Sequence, residues 1–345
     1  MKQLTALDLA LIVKELQFLM NGKIDNIYQA SGEELYFNIF KTGEGKSVLR
    51  ITPSLLYITS IKKETDNFNF CRFLRKRLLN AYIKKIYQHE FERVVIFELE
   101  AKDIKYNLII EFFSKGNIIL CDNDFKIISP LKQQKWKDRN ILPKLKYEFP
   151  PVQGTNLFIL DYDSFKEIIL KSKKLIVKTL AMDLSLSGLY AEEILKQAKI
   201  DKDKTELKDK ELKKLFSVVE DVRKLDLKFI LKTNNFSINS DSFNQALDDL
   251  YSDEIVKEEK QKVDDRKGKE VEKVEKVLKQ QQEALKRIKE GVEENTNKAN
   301  YIYEHYTEIK ALLDDIKDMR KKKISWDEIK KKYPKIKEKN GNVVF

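Results

Sequence analysis

Cysteine and histidine are scarce: two of each stand among 345 residues. Cys71 and Cys121 lie in unrelated contexts with no Cys-x-x-Cys pair, so neither a disulfide framework nor a Cys/His zinc site is expected. With His89 and His305 as the sole histidines, no Ser-His-Asp arrangement can be argued, and scattered carboxylates alone are no catalytic signal. Long uncharged runs are missing as well. Asp8, Lys14 and Glu15 border or interrupt the apolar stretch near the N-terminus, and no segment approaches the roughly 20 apolar residues that span a bilayer. These absences predict a cytoplasmic protein in a reducing compartment. Gly43-Glu44-Gly45-Lys46-Ser47 looks like a phosphate loop, but a Walker A motif needs glycine where Phe40 stands, so this is read as a turn.

What is abundant is charge. Charged residues make up 36% of the chain, against roughly 25% in an average soluble domain, which points to a fully solvated element beside compact ones. Lys and Arg outnumber Asp and Glu by 67 to 56, a net +11. This favours polyanions such as RNA, DNA or an anionic membrane face without choosing among them. The length predicts two or three folded units.

Residues 5–21 carry apolar positions three or four apart and read as an amphipathic helix. Short strands follow, with Leu35 to Phe40 and Ser47 to Thr52 flanking a glycine-bearing turn, then Leu55 to Ile61. Asn67 to Asn80 reads as a helix with Arg72, Arg75 and Lys76 on one face and Phe70, Leu74 and Leu78 on the opposite one. That cationic face suits phosphate; an ordinary solvated face has the same pattern. Arg93 to Leu99, Tyr106 to Phe113 and Asn117 to Cys121 read as strands, the last two joined by a Ser114-Lys115-Gly116 turn. Between Lys132 and Lys146 a basic segment surrounds Trp136. Lys135, Trp136, Lys137 and Arg139 are candidate RNA contacts there, because aromatics stack bases and cations pair with phosphates.

Helical periodicity returns over 162–250, with a Ser187-Gly188 turn consistent with a small helical hairpin. From Val271 to Ile316 a 3,4 spacing fills fourteen consecutive core slots, of which Gln281 and Asn295 alone are polar. Six heptads in register predict a coiled-coil helix roughly 70 Å long. Such a seam needs a partner, from another copy, another protein or sequence beyond this chain. The closing Gly341-Asn342-Val343-Val344-Phe345 reads as the start of an interrupted strand.

Four stretches carry a resemblance to the NFACT family of ribosome-associated quality-control factors, in its archaeal form. Some members were first named fibronectin-binding proteins. The stretches are Gly22 to Gln29, Arg72 to Leu78, Glu92-Arg93 and Glu111 to Leu120. Tyr190 to Glu193 and Phe243 to Asp248 are similar to later parts of the family pattern. The resemblance implies an α+β chain in three parts. Residues 1–174 would be a mixed antiparallel domain resembling the N-terminal fold of formamidopyrimidine-type DNA glycosylases. Residues 175–255 would be a helix-hairpin-helix module, and 256–345 the outgoing half of a coiled-coil arm. The returning helix and a C-terminal RNA-binding domain would lie outside the chain.

Functionally, the resemblance implies binding to an obstructed large ribosomal subunit and to tRNA or peptidyl-tRNA, in support of C-terminal tailing of the stalled nascent chain. Glu92 and Arg93 would take the place of the family's tRNA-engaging pair, with Glu111 the matching acidic position. Arg72, Arg75, Lys76 and Asn117 complete the expected tRNA-binding set. The chain departs from the pattern at Glu92, where Asp is usual, at Ser114, where glycine is common, and before Tyr147, where a glycine is missing. The proline nucleophile of the glycosylases has no counterpart in Met1-Lys2-Gln3, so neither enzymatic activity nor a cofactor is expected. The competing expectation is a DNA-binding or generic RNA-binding scaffold. Self-association through the bare seam is a further expectation.

Overall fold

The computed structural model describes residues 3–63, 65–136, 139–339 and 342–344. The chain divides into two compact units, Met1–Gln261 and Lys262–Phe345.

The first unit is built on one nine-stranded antiparallel sheet. In chain order its strands are β1 (Lys23–Ser31), β2 (Glu34–Lys41), β3 (Gly45–Ile51), β4 (Leu56–Ile58), β5 (Tyr82–Gln88), β6 (Val94–Ala101), β7 (Ile104–Glu111), β8 (Asn117–Asp122) and β9 (Ile127–Pro130). The spatial order β4-β3-β2-β1-β5-β6-β7-β8-β9 joins two meanders edge to edge. Their junction is narrow: Lys23 of β1 faces Tyr82 of β5, and the Ile24 amide donates to the Ala81 carbonyl at 2.8 Å. The β7–β8 turn needs its glycine. Gly116 has φ +60, and a Cβ there would run into Pro53, so close backbone approach and the left-handed conformation both exclude larger residues.

Strand alternation places Val95, Phe97 and Leu99 in the main core. Val94 and Ile96 point to a second cluster with Ile109, Ile119, Ile141 and Tyr147. The first half of β6, Val94 to Phe97, is thus apolar on both faces and reads as an unbroken run, while Glu98 and Glu100 restore alternation beyond it. The cover over the second cluster comes from the segment after β9, which includes the short hairpin β10 (Gln134–Lys135) and β11 (Asn140–Ile141).

Helix α1 (Ala6–Glu15) begins with a capping box: Thr5 Oγ1 accepts from the Asp8 amide, and Asp8 Oδ2 accepts from the Thr5 amide. Every residue from Ala6 to Ile12 is buried, so α1 is a core helix rather than the amphipathic one its spacing predicts. Asp8, fully buried, is satisfied by Thr5, by the Tyr190 hydroxyl at 2.6 Å and by Asn234 at 2.9 Å. Helix α2 (Asn69–Leu78) buries Cys71, Leu74 and Leu78. A helical block follows: α3 (Tyr162–Lys171), α4 (Ile176–Met182), α5 (Ser187–Ala198), α6 (Asp209–Arg223) and α7 (Leu227–Thr233).

Helix α8 (Phe243–Glu304) runs for 62 residues. Its first turns are tied down within the first unit. The Glu15 carboxylate accepts from the amides of Phe243 at 2.7 Å and Asn244 at 2.9 Å, satisfying donors that a helix leaves unpaired. Asp248 accepts from Thr59 at 2.7 Å and from the Ser60 hydroxyl at 2.9 Å.

In the second unit the apolar stripe of α8 is bare: Val271, Val274, Leu278, Leu285, Ile288 and Val292 are 52–67% exposed. The continuous helix expected from Val271 to Ile316 breaks at His305, which parts α8 from α9 (Tyr306–Lys321). Its last slot, Ile316, serves a small local core with Ile329 and Ile336 instead of a coiled-coil seam. Helix α10 (Trp326–Lys332) and the strands β12 (Lys337–Lys339) and β13 (Asn342–Val344), paired antiparallel, follow where an arm was expected to continue to 345. Here too the difference is one of local burial overriding periodicity. Among the described residues no helix is long and apolar enough to cross a membrane.

Candidate nucleic-acid interface

Antiparallel register gathers three of the expected site residues at one end of the sheet. Val94 faces Glu111, and Glu111 faces Asn117. The Phe112 amide donates to the carbonyl of Arg93 at 2.9 Å, so Arg93 adjoins the same end. Side chains then separate what the backbone brings together.

Glu111 is 1% exposed and Arg139 is 8% exposed, and the two form an ion pair. The Tyr147 hydroxyl donates to the same Glu111 oxygen at 2.8 Å. Aromatic rings enclose the guanidinium, with the centroids of Tyr147, Trp136 and Phe113 at 5.1, 5.5 and 5.7 Å. Burial pushes the Glu111 carboxyl above the usual range, against the pull of Arg139 and Tyr147. Asn117 is wholly buried. Its amide donates to the Lys132 carbonyl and to Gln134, and its oxygen accepts from the amides of Ile118 and Lys132. Expected as RNA contacts, Glu111, Asn117 and Arg139 instead face the interior. They hold Lys132, Gln134 and Tyr147 against the sheet end, because a charge or amide taken out of water must find partners inside.

Glu92 and Arg93 are half-buried and do not pair with each other. The Glu92 carboxylate accepts from the Gln153 amide at 3.0 Å, and the Arg93 guanidinium donates to Gln3 at 3.3 Å. Glu111 therefore orients Arg139 rather than Arg93. Beside this end, Lys135 is exposed and Trp136 is 39% exposed, as a stacking platform requires. Lys137 lies outside the described residues.

The α2 cations form a second group on different elements. Arg72 and Lys76 are exposed and Arg75 is half-buried. Arg75 Nε donates to the Ile27 carbonyl at 2.5 Å, and its guanidinium lies 5.3 Å from the Tyr28 ring centroid. Arg72 donates to Asn69, and Arg77 sits over the Phe73 ring at 3.7 Å. The ten residues of α2 include four cations and no acid.

Sequence reasoning passed over a row of large side chains crossing four strands. Tyr28 on β1 faces Tyr36 on β2, which faces Arg50 on β3, which faces Tyr57 on β4. Arg50 is 1% exposed; its Nε donates to Glu34 at 2.6 Å and it bonds the Tyr57 hydroxyl. Glu34 also accepts from the Tyr36 hydroxyl at 2.7 Å and lies 3.3 Å from the Lys63 ammonium. No local signal marked it: Leu49-Arg50-Ile51 is the ordinary alternation of a strand with one solvated face, which assigns Arg50 to solvent.

Nothing in these groups points to bond-making chemistry. Among the described residues no cluster of His, Cys, Asp and Glu could hold a metal ion. Both thiols are buried, and burial raises their pKa, that of Cys121 to about 12, which makes them poor nucleophiles. What the arrangement offers is exposed cation and aromatic surface on a rigid sheet.

The NFACT N-terminal and middle domains, as a family, match residues 5–340. The archaeal Rqc2 homolog aRqcH of Methanocaldococcus jannaschii is 34% identical over 368 residues, covering 95% of this chain and 54% of its own. Ribosome quality control complex subunit 2 of Saccharomyces cerevisiae is 28% identical over 181 residues, covering 50% of this chain and 17% of its own. Among solved structures, the fibrinogen binding protein from Staphylococcus aureus has a TM-score of 0.58 at 22% identity, covering 72% of this chain and 98% of that one, a likeness of fold alone. The N-terminal part of the fibronectin/fibrinogen-binding protein from Streptococcus suis has a TM-score of 0.54 at 25% identity, covering 63% of this chain and 85% of that one. The chain spans about half the length of the archaeal relative.

Proposed function

Because the chain belongs to the NFACT family, whose N-terminal and middle domains it matches over residues 5–340, we propose that it is an RNA-binding factor of ribosome-associated quality control. In this reading it binds a large ribosomal subunit obstructed by peptidyl-tRNA, engages tRNA, and supports C-terminal tailing of the stalled nascent chain. The observation that carries the reading is the likeness along 95% of the chain to a protein named as an archaeal Rqc2 homolog. The net charge of +11 and the acid-free cationic helix α2 support it on physical grounds.

Residues 1–174 are read as the tRNA-engaging domain, akin in fold to the N-terminal part of formamidopyrimidine-type DNA glycosylases. Residues 175–255 are read as the helical module, and the bare stripe of α8 as a face for a second helix. The role is binding, in the cytoplasm, with no cofactor and with peptide-bond chemistry left to the ribosome. Arg93, with Lys135 and Trp136 at the same sheet end, is the direct tRNA contact, and Glu92 holds the backbone at Gln153.

Co-sedimentation tests this. The protein is expected to travel with large subunits carrying peptidyl-tRNA and to leave vacant subunits largely unbound. Failure to co-sediment with either, or equal affinity for tRNA and duplex DNA at equal salt, overturns the reading. Arg93→Ala is expected to weaken tRNA binding while leaving the melting temperature unchanged, since the side chain gives up one 3.3 Å hydrogen bond to Gln3.

A further inference from the structure

The row Tyr28–Tyr36–Arg50–Tyr57 is sealed at one end and open at the other. Tyr36, Arg50 and Tyr57 are at most 1% exposed, whereas Tyr28 is half-buried at the surface. At that open end three separate elements converge. The Lys62 ammonium, from the segment after β4, lies 4.8 Å from the Tyr28 ring centroid, and the Arg75 guanidinium, from α2, lies 5.3 Å from it. Glu34, the carboxylate of the row, is already engaged by Arg50 and Lys63. Lys62 and Arg75 have no carboxylate partner among the described residues.

Two cations held against one ring repel each other, a cost that an anion placed between them removes. The donors suit an oxyanion. Arg75 spends Nε on the Ile27 carbonyl, and the two Nη groups of its planar fork remain as donors for an oxyanion. The Tyr28 hydroxyl accepts from Asn26 at 3.1 Å and keeps its own proton to donate. Arg72 and Lys76 continue the cationic surface along α2 at the helical spacing of one face.

We propose that Lys62, Arg75 and the Tyr28 hydroxyl form a clamp for a phosphodiester of the RNA backbone, extended along α2 by Arg72 and Lys76 and distinct from the Arg93 end of the sheet. This deepens the reading of the chain as a tRNA-binding factor and rests on it. The clamp grips backbone and reads no base, so it adds affinity and salt dependence, and sequence preference does not come from it.

The test is fluorescence anisotropy with labelled tRNA on the whole chain, titrated across salt. Lys62→Met keeps the apolar stem against Tyr28 and removes the charge. It is expected to lower tRNA affinity about fivefold to tenfold near 0.1 M salt and to flatten the slope of log affinity against log salt by about 0.7–0.9. Arg75→Met adds a second loss of similar size, and Lys62→Arg restores wild-type binding. The melting temperature of Lys62→Met stays at the wild-type value, which separates lost contact from lost fold. Wild-type binding of tRNA with an unchanged affinity and slope in Lys62→Met overturns the clamp and leaves the tRNA reading standing. A loss confined to duplex DNA overturns it in favour of DNA. If the wild-type protein does not bind tRNA, the tRNA reading falls and takes the clamp with it.

Discussion

Helices α6 and α8 carry the same apolar spacing with opposite fates. In α6, Leu212, Leu215, Val219 and Val222 follow a 3,4,3 pattern and are 0–3% exposed; in α8, Val271, Val274 and Leu278 begin the same pattern and are 52–67% exposed. Ion pairs divide the same way. Glu111–Arg139 is buried under three aromatic rings, whereas Glu294–Lys298, one turn apart on α8, is more than 60% exposed on both sides. Spacing marks a face that would gain by being covered, and charge marks a group that must be solvated or paired. Neither says which solution the fold adopts. In α6 the cover is present within the same unit, and in α8 it is absent among the described residues.

The largest expected effect comes from the charges. Arg139→Ala strands the Glu111 carboxylate in the interior and is expected to cost the first unit about 3–5 kcal/mol in denaturant unfolding. Lys298→Ala, which breaks the exposed pair, is expected to leave the unfolding midpoint where it was. Equal effects would erase the distinction. Next come the apolar faces. Leu215→Ala is expected to cost about 2–5 kcal/mol, and Leu278→Ala within about 0.5 kcal/mol of nothing. A Leu278→Ala cost near that of Leu215→Ala would show that the α8 stripe is covered in solution, and sedimentation analysis at two concentrations would tell whether a second copy covers it.

The smallest effect is a titration. His89 stacks on Phe149 at 3.8 Å between centroids, and burial holds its pKa below the ordinary 6.5, against the opposing pull of Glu90 and Glu92. Because the folded-state pKa is lowered, this contribution to stability is present above 6.5 and is lost as pH falls through the folded-state value. His89→Phe is therefore expected to flatten the decline of the melting temperature between neutral and mildly acidic pH. An identical pH profile in the variant would remove His89 from the account.

Much of the first unit was legible. The α2 stripe of Leu74 and Leu78 is buried, and Arg72 and Lys76 are exposed, as their angular spacing predicts. The Ser114-Lys115-Gly116 turn and its flanking strands stand where their turn and strand residues indicate. Three of the expected site residues come together, while the α2 cations stand on other elements. Arg93, Glu111 and Asn117 do meet at one sheet end. That Glu111 serves Arg139 depends on a segment 28 residues further along folding back over β7, and no local pattern specifies that return. Arg50 and Glu34 are partners for the same reason: the β2–β3 register, rather than either residue's neighbours in sequence, sets them together.

Within the second unit, the stretch around Ile316 shows where periodicity overreached. Ile316 extends the heptad pattern faultlessly yet packs with Ile329 and Ile336, because an apolar side chain takes whichever cover lies nearest.

By itself the sequence determined that the chain is cationic enough to favour polyanions, which face of α2 is apolar, and where strands such as β2, β3 and β6 to β8 lie. Those properties arise within one or two turns, where neighbouring residues alone decide them. Only the tertiary structure decided which cations are locked inside, which gather against Tyr28 at the open end of the tyrosine row, and which apolar stripe goes uncovered among the described residues. Each of those depends on a partner dozens or hundreds of residues away, as Asp8 depends on Tyr190 and Asn234, and the free energy of pairing is settled only when the chain brings the two together.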